Sequence, residues 1–546
     1  MPSETRSDPA ERLWWRDGVI YQIYPRSFQD SDGDGVGDLP GLLGRLDYLA
    51  GLGVDALWLS PIYPSPLRDF GYDISDYEAI DPAFGALADF DRLVAAAHER
   101  GLRVVLDLVL NHTSDQHPWF AESRASRANP RRDWYLWRDP APAGGPPNNW
   151  QSVFGGPAWE YDPTTGQYYY HQFLREQPDL NWRNPAVRAR LCQMMRFWLD
   201  RGVDGFRLDV VHAYFKDDLF RDNPPAWRPD QPGLGLRAYD RQRHLFDQDR
   251  PEIYGALAEI RAVLDAYPER MAVGEVSDRD MAVRYAGPGR LHLAFNFEFT
   301  RQPWRPRAFL EAIRRYEAGL AAGAWPCYVL GNHDLARFPS RFGGGPASDA
   351  RARVAAALLL TLRGTPFVYY GEELGLPDAR LARRDLRDPV GKRYWPFHPG
   401  RDPARTPMQW DASAQAGFTT GRPWLPVQPD YARRNVAAQT ADPGSVLNFF
   451  RGLLRLRREM PALQRGTFQP LTARPVHVLA YLRQPAQQPA LVALNFFGWP
   501  VDVRLDPAPP EAAWVLRLTS APGPHRRIQG RHLTLAPFEA CVLEAG

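Results

Sequence analysis

The chain has 546 residues, too many for one ordinary domain and enough for two or three. Its 66 basic and 64 acidic residues leave a formal net charge of +2, so no basic field points to nucleic acid. The first residues, MPSETRSDPAERLWW, are polar and lack an apolar signal-like core, and no uncharged apolar run approaches the length of a membrane span. The expectation is a cytoplasmic enzyme with no membrane partner.

Taken in chain order, short apolar runs alternate with helical patterns. The runs are Val19–Tyr24, Ala56–Ser60, Val104–Leu110, Gly205–Val210, Met271–Val276, Leu293–Phe299, Tyr328–Leu330 and Phe367–Tyr370. Continuous apolar strands are those of a parallel sheet covered on both faces. Segments such as Leu87–Arg100 and Ala186–Arg201 carry apolar residues at helical spacing. Eight strand–helix repeats predict an α/β fold, a (β/α)8 TIM barrel.

The spacing is uneven. After strand three, which ends near His112, the next helix starts only near Asn184, so a small inserted domain is expected over 112–180, between barrel segments 1–111 and 181–465. A proline-broken stretch of about 375–442 follows strand eight, and a helix over Ser445–Glu459 closes the barrel. Beyond Pro461, Val476–Leu482, Leu491–Phe497, Val501–Leu505, Trp514–Leu518 and His532–Leu535 predict short strands of an antiparallel C-terminal β-sandwich, 466–546. Three cysteines, Cys192, Cys327 and Cys541, are too few and too scattered for a disulfide framework or a zinc site, and are expected as free thiols.

Barrel enzymes work at the C-terminal ends of their strands. Those ends carry Asp107, Asn111 and His112; Arg207 and Asp209; Glu275; and Asn332, His333 and Asp334, with Tyr72 and Asp73 after strand two. Carboxylates gathered with an arginine and two histidines suit cleavage of a glycosidic bond. Rings beside polar groups in loop-like stretches, such as Asn149-Trp150, Phe154 and Trp159, suit a sugar's apolar faces and polar edges.

The segments DLVLNH (107–112), GFRLDV (205–210), GEV (274–276) and NHD (332–334) resemble the four ordered motifs of the α-amylase superfamily, glycoside hydrolase family 13, and QPDLNW (177–182) resembles its fifth. GVIYQIYPRSF (18–28) and RTPMQW (405–410) narrow the resemblance to the oligo-1,6-glucosidase and α-glucosidase branch, and LFRDNPP (219–225) is similar to bacterial α-glucosidases of that branch. The resemblance implies Asp209 as nucleophile, Glu275 as acid/base and Asp334 as stabiliser of the transition state. It implies Tyr72, His112, Phe154, Phe173 and His333 around the bound glucose, and a pair between Asp73 and Arg405 that grips the non-reducing end and makes the enzyme exo-acting. Arg207, two residues before Asp209 on one strand, is expected to hold that carboxylate ionised. The implied substrate is a short α-glucoside such as maltose, isomaltose or sucrose, and no organic cofactor is expected. Val210 implies activity on α-1,6 bonds, while LFRDNPP pulls towards α-1,4 substrates. Transglucosylases and sucrose- or trehalose-acting enzymes share the motifs, and loops 212–235 and 375–404 are expected to separate them. Heavy chains of amino-acid transporters share the fold but lack the acids and carry a membrane helix.

One further motif, Asp30 to Asp38, spaces oxygen donors as a calcium loop does, with Asp30, Asp32, Asp34, the Val36 carbonyl and Asp38 as candidate ligands. Gly41 stands where an EF-hand has its glutamate, and the resemblance implies one structural calcium or magnesium ion here.

Overall fold

The computed structural model describes residues 12–226, 237–276, 279–484, 488–507, 514–521 and 531–545. Of the loop 212–235 expected to set specificity, residues 227–235 lie outside the described residues.

Eight short strands form the barrel: β1 (Ile20–Ile23), β2 (Ala56–Leu59), β3 (Arg103–Leu108), β7 (Gly205–Leu208), β8 (Met271–Gly274), β9 (Leu293–Ala294), β10 (Cys327–Val329) and β11 (Thr365–Tyr369). They lie in the order β10-β11-β1-β2-β3-β7-β8-β9, each paired neighbour parallel. The eight expected strands are therefore these eight, and the fold is a (β/α)8 TIM barrel.

Side-chain alternation explains why these runs had to be apolar throughout. Ile20, Trp58, Val105, Val273, Leu293, Val329 and Phe367 fill the barrel interior. Their strand neighbours Tyr21, Leu57, Leu59, Val104, Leu106, Phe206 and Ala272 face outwards into the larger core shared with the helices. Those helices bury one stripe each, as Leu87–Glu99 does with Phe90, Leu93, Val94 and Ala97. The inward set continues past the apolar layer as Gln22, Asp107 and Arg207, with Asp107 paired in register with Arg207. Polar groups thus collect at one end of a dry barrel.

The helix after the insertion runs Pro185–Asp200, its start capped by Asn184 accepting from the Ala186 amide at 2.9 Å. Between β3 and this helix lie a helix, Pro118–Ala125, and three antiparallel strands, β4 (Trp137–Arg138), β5 (Trp159–Asp162) and β6 (Gln167–Tyr170), in the order β4-β6-β5. Trp150, Ala158, Trp159 and Tyr170 form this insertion's own apolar centre. After β11 the chain runs through short helical turns to Val446–Glu459, capped by Ser445.

The C-terminal strands are β12 (Thr467–Arg474), β13 (Val478–Gln484), β14 (Ala490–Asn495), β15 (Val501–Asp506), β16 (Trp514–Thr519), β17 (His532–Leu535) and β18 (Ala540–Ala545). In place of two separate sheets they form one antiparallel run, β16-β18-β14-β13-β12-β15-β17, in which β12 pairs with both β13 and β15. Leu482, Leu491 and Leu543 from one end of the run and Val503, Leu505 and Leu533 from the other share one buried cluster. The three cysteines form no disulfide; Cys327 and Cys541 are buried and Cys192 is partly so. No helix among the described residues is long and apolar enough to cross a membrane.

Candidate active site

Strand ends β3, β7 and β8 deliver three carboxylates to one guanidinium. Arg207 Nη1 lies 2.8 Å from Asp107 and 2.6 Å from Asp209, and its Nη2 bonds Glu275. The Arg207 side chain is fully buried. Asp107 also accepts from the Trp58 indole at 3.2 Å and the Tyr72 hydroxyl at 3.0 Å. Glu275 accepts from the Val210 amide at 3.3 Å, which ties the two strand ends together.

Arg207 was expected to hold Asp209 ionised, but its charge is divided. Burial, together with the charges of Glu275 and Asp107, pushes Asp209 well above the ordinary carboxylate range although Arg207 pulls it down. Burial likewise pushes Asp107 up to about 6. Three acids on one fixed cation cannot all ionise cheaply in a dry site, so the group retains a proton. A hydrogen bond with the Glu275 carboxyl adds to the rise of Asp209.

Asp334 sits in the opposite field. Burial acts to raise it, yet the fixed charges of Arg401, Arg405 and Arg207 help to hold it well below the usual range. Arg405 reaches it at 2.8 Å and Arg401 at 3.3 Å. His333 is stacked on Tyr72, with ring centroids 5.2 Å apart, and burial pushes it well down, so the ring is neutral. Its two nitrogens meet Gln22 at 2.7 Å and the Tyr72 hydroxyl at 2.6 Å. His112, brought by burial down to about 4, meets the Tyr72 carbonyl and the Gln177 amide, both at 3.1 Å. Phe173 packs 5.2 Å from His112 and 5.7 Å from Phe154, continuing the aromatic wall.

The expected Asp73–Arg405 pair does not form. The buried Asp73 carboxylate is used up locally, accepting from the Ser65 hydroxyl at 2.8 Å and the Arg68 and Asp69 amides at 2.9 and 3.0 Å. Arg405 turns instead to Asp334 and to the His333 carbonyl, 2.7 Å away. The pair that joins these two loops is Asp69–Arg401, at 2.5 Å, braced by Asp388 on Arg401 at 2.7 Å and by Gln177 on Asp69 at 3.2 Å. Arg401 also lies 5.2 Å from the centre of the Phe154 ring. Between Asp69 and Asp73 the chain reverses through Phe70 and Gly71, both left-handed at φ 47° and 105°. That reversal sends the earlier aspartate to Arg401 and the later one into the loop.

The Phe154 loop is fastened from outside the insertion. Arg393, on the helix Pro389–Tyr394, donates to the Phe154 and Gly155 carbonyls at 3.1 and 2.9 Å. Gly155 has φ 96°, and a Cβ there would come within 2.4 Å of the Tyr394 hydroxyl.

In the first loop, carboxylate oxygens of Asp30, Asp32 and Asp38 lie within 4.8 Å of one another. Asp34 is not in this group; its carboxylate accepts from the Val36 amide at 2.7 Å. None of the four aspartates has an arginine or lysine partner among the described residues, and an all-oxygen anionic set of this kind suits a hard divalent cation. Asp30 bonds the Thr419 hydroxyl, and Trp424 donates to the Gly35 carbonyl at 2.9 Å, so the loop anchors the segment that returns from β11.

Residues 22–466 match the family model for the alpha amylase catalytic domain. The chain belongs to the alpha-amylase family. It is a glycoside hydrolase, and the family's other members frame its chemistry. A protein of Rhizobium meliloti (strain 1021) named probable alpha-glucosidase is 47% identical over 90% of this chain and 91% of its own length. An oligo-1,6-glucosidase of Heyndrickxia coagulans is 42% identical over 88% of this chain and 92% of its own. Among solved structures, the alpha-glucosyl transfer enzyme XgtA superimposes with a TM-score of 0.93 at 45% identity, over 98% of this chain and 100% of that one. The trehalulose synthase MutB from Pseudomonas mesoacidophila MX-45 does so at 0.88 and 37%, with the same coverage. Family membership rests on these matches and on the order of strands and motifs together.

Proposed function

We propose that this chain is a retaining, exo-acting α-glucosidase that removes glucose from the non-reducing end of short α-glucosides through a covalent glucosyl–Asp209 intermediate. The observation that carries the reading is the pairing of Asp209 with Glu275 on one guanidinium, close enough to share a hydrogen bond. Inverting enzymes need roughly 6.5–9.5 Å between their carboxyls to admit a water, and retaining ones use a closer pair. Asp209 attacks the anomeric carbon as the glycosidic C–O bond breaks, and Glu275, as general acid, gives a proton to the leaving oxygen. Glu275 then takes a proton from the water that releases glucose. Asp334, kept anionic by its arginines, faces the positive charge that develops on the sugar. Asp69 and Arg401 grip the hydroxyls of the terminal glucose and close that end of the pocket, which makes cleavage exo. Tyr72, His112, His333, Phe154 and Phe173 wall the bound ring.

The names of the relatives support an α-glucoside substrate, and the likeness to XgtA and MutB supports a second reading, glucosyl transfer from the same intermediate. Val210 supports some α-1,6 activity: it is only 9% exposed and its backbone amide donates to Glu275, the proposed acid at the leaving group. No organic cofactor is needed for this chemistry. Asp30, Asp32 and Asp38 would hold one calcium or magnesium ion, which supplies charge balance to the first loop and takes no part in bond cleavage.

Asp209→Asn should lose about 10³-fold or more in kcat while remaining folded. Glu275→Gln should slow maltose strongly and activated aryl glucosides much less in the first step, since good leaving groups need little protonation. Near-normal turnover by the first variant, or equal loss on both substrates by the second, would sink the assignment. Products from maltose, isomaltose, sucrose and trehalose then separate hydrolysis from transfer.

A further inference from the structure

A cavity of about 510 Å³ lies between the inserted domain and the segment after β7, and none of the substrate-pocket residues named above lines it. Cations dominate its wall: Arg127, Arg132, Arg138, Arg183 and Lys216 stand against only Asp133 and Asp218. Three of the five are committed, Arg127 to Asp139 at 3.0 Å, Arg183 to Glu252 at 2.7 Å and Lys216 to Asp179 at 2.5 Å.

Arg132 and Arg138 have no carboxylate partner among the described residues. Arg132 gives its hydrogen bonds to neutral acceptors, the Ser123 carbonyl at 2.9 Å, the Thr165 hydroxyl at 3.0 Å and the Gln167 amide oxygen at 2.6 Å. Its Nε is buried with no partner, and burial holds it down to about 10. The guanidinium lies 3.4 Å from the centre of the Trp137 ring. Arg138 lies 3.8 Å from the centre of the Phe220 ring, and its one hydrogen bond among the described residues goes to the Trp137 carbonyl at 3.0 Å. Arg132 is partly buried, with Asp162 and Asp139 in electrostatic reach but not bonded to it, whereas the buried arginines of the site pair directly with carboxylates. A ring behind each guanidinium fixes its plane; the exposed Arg138 keeps most of its N–H groups for a planar or tetrahedral anion, and Arg132 adds its charge beside it. Trp182 and Phe215, also in the wall, are largely buried and give it an apolar edge against which the C–H groups of a sugar can pack.

We propose that this cavity is a second ligand site, separate from the substrate pocket, that binds a sugar phosphate. Arg138 takes the phosphate through its open fork, and Arg132 supplies a second positive charge beside it. The aromatic wall takes the sugar.

The test is calorimetric titration of glucose 6-phosphate into the full chain, with the substrate pocket filled by saturating 1-deoxynojirimycin. One saturable site is expected, with inorganic phosphate at least tenfold weaker and glucose without heat. The double variant Arg132→Gln/Arg138→Gln should weaken binding at least tenfold while maltose turnover stays unchanged. Arg138→Gln alone, at an exposed position, should weaken it about fivefold and guards against a misfolded double variant. No saturable binding, equal binding by the variants, or competition by 1-deoxynojirimycin would overturn the site. Phosphate binding as tightly as its sugar ester would overturn the ligand class.

Discussion

Arg401 Nη2 and Asp69 Oδ1 meet at 2.5 Å across 332 residues of chain. The bond joins the loop after β2 to the stretch after β11, and Arg401 also reaches Asp334. One side chain therefore couples the closed end of the pocket to an acid of the proposed chemistry.

Asp69→Ala should lower kcat/KM for maltose by about 100-fold or more, because it removes a substrate contact and leaves a buried arginine underpaired. Asp73→Ala should instead lower the melting temperature, through the loss of three local hydrogen bonds, and leave kcat/KM of the folded enzyme near wild type. Steady-state kinetics with thermal melts of both variants decide which aspartate serves the pocket.

Much of this arrangement was legible in the sequence, and the exceptions have physical reasons. The barrel strands were readable because both faces are buried, which forces unbroken apolar runs. The acids were readable because they follow those runs directly. β12 was not, since Pro470 interrupts it and its exposed and buried residues alternate irregularly. The clamp was misread because two aspartates four residues apart look equivalent until the turn at Phe70 and Gly71 separates them. Glu372 and Glu373 were overlooked at the end of strand eight. They are fully buried, with Glu373 taking the Tyr21 and Tyr48 hydroxyls at 2.7 and 2.8 Å.

Glu372 gives a prediction about pH. Burial pushes it from 4.5 up to about 8, with Glu373 adding to the rise and Arg337 and Arg341 opposing it. The folded chain binds this proton more tightly than the unfolded one. Its contribution is thus fully present below pH 4.5 and is lost as pH rises towards about 8. Glu372→Gln should flatten the fall in melting temperature between those pH values, where the wild type loses on the order of a few kcal/mol. A variant whose melting temperature falls with pH as steeply as the wild type would contradict the assignment.

Chelation offers a third test. Removing divalent ions should lower the melting temperature by several degrees while specific activity of the folded fraction holds, since Asp30, Asp32 and Asp38 lie apart from the acids. Restored melting on adding calcium or magnesium to wild type, but not to Asp30→Asn, is the expected pattern. Identical melts with and without chelator would argue against an ion.

Arg393→Ala should raise KM with little change in kcat. Two hydrogen bonds to the Phe154 loop are worth about 1–3 kcal/mol, or roughly 5–150-fold. Arg393→Lys should recover part of the loss. An unchanged KM would mean that the Arg401 contact alone holds the ring.

The Arg393 fastening makes this wall of the pocket a seam between two insertions that lie far apart in the chain. Neither insertion owns the wall: one supplies the ring and the bare carbonyls, the other the donor that fits only beside a glycine. Loop exchange with a relative is therefore a two-part operation. Moving the 153–156 segment without 389–394 would strand backbone acceptors, and a side chain in place of Gly155 would push the two halves apart. Changes of specificity along this lineage should come as matched pairs across the seam, and libraries that vary both segments together should yield more active clones than libraries that vary either one.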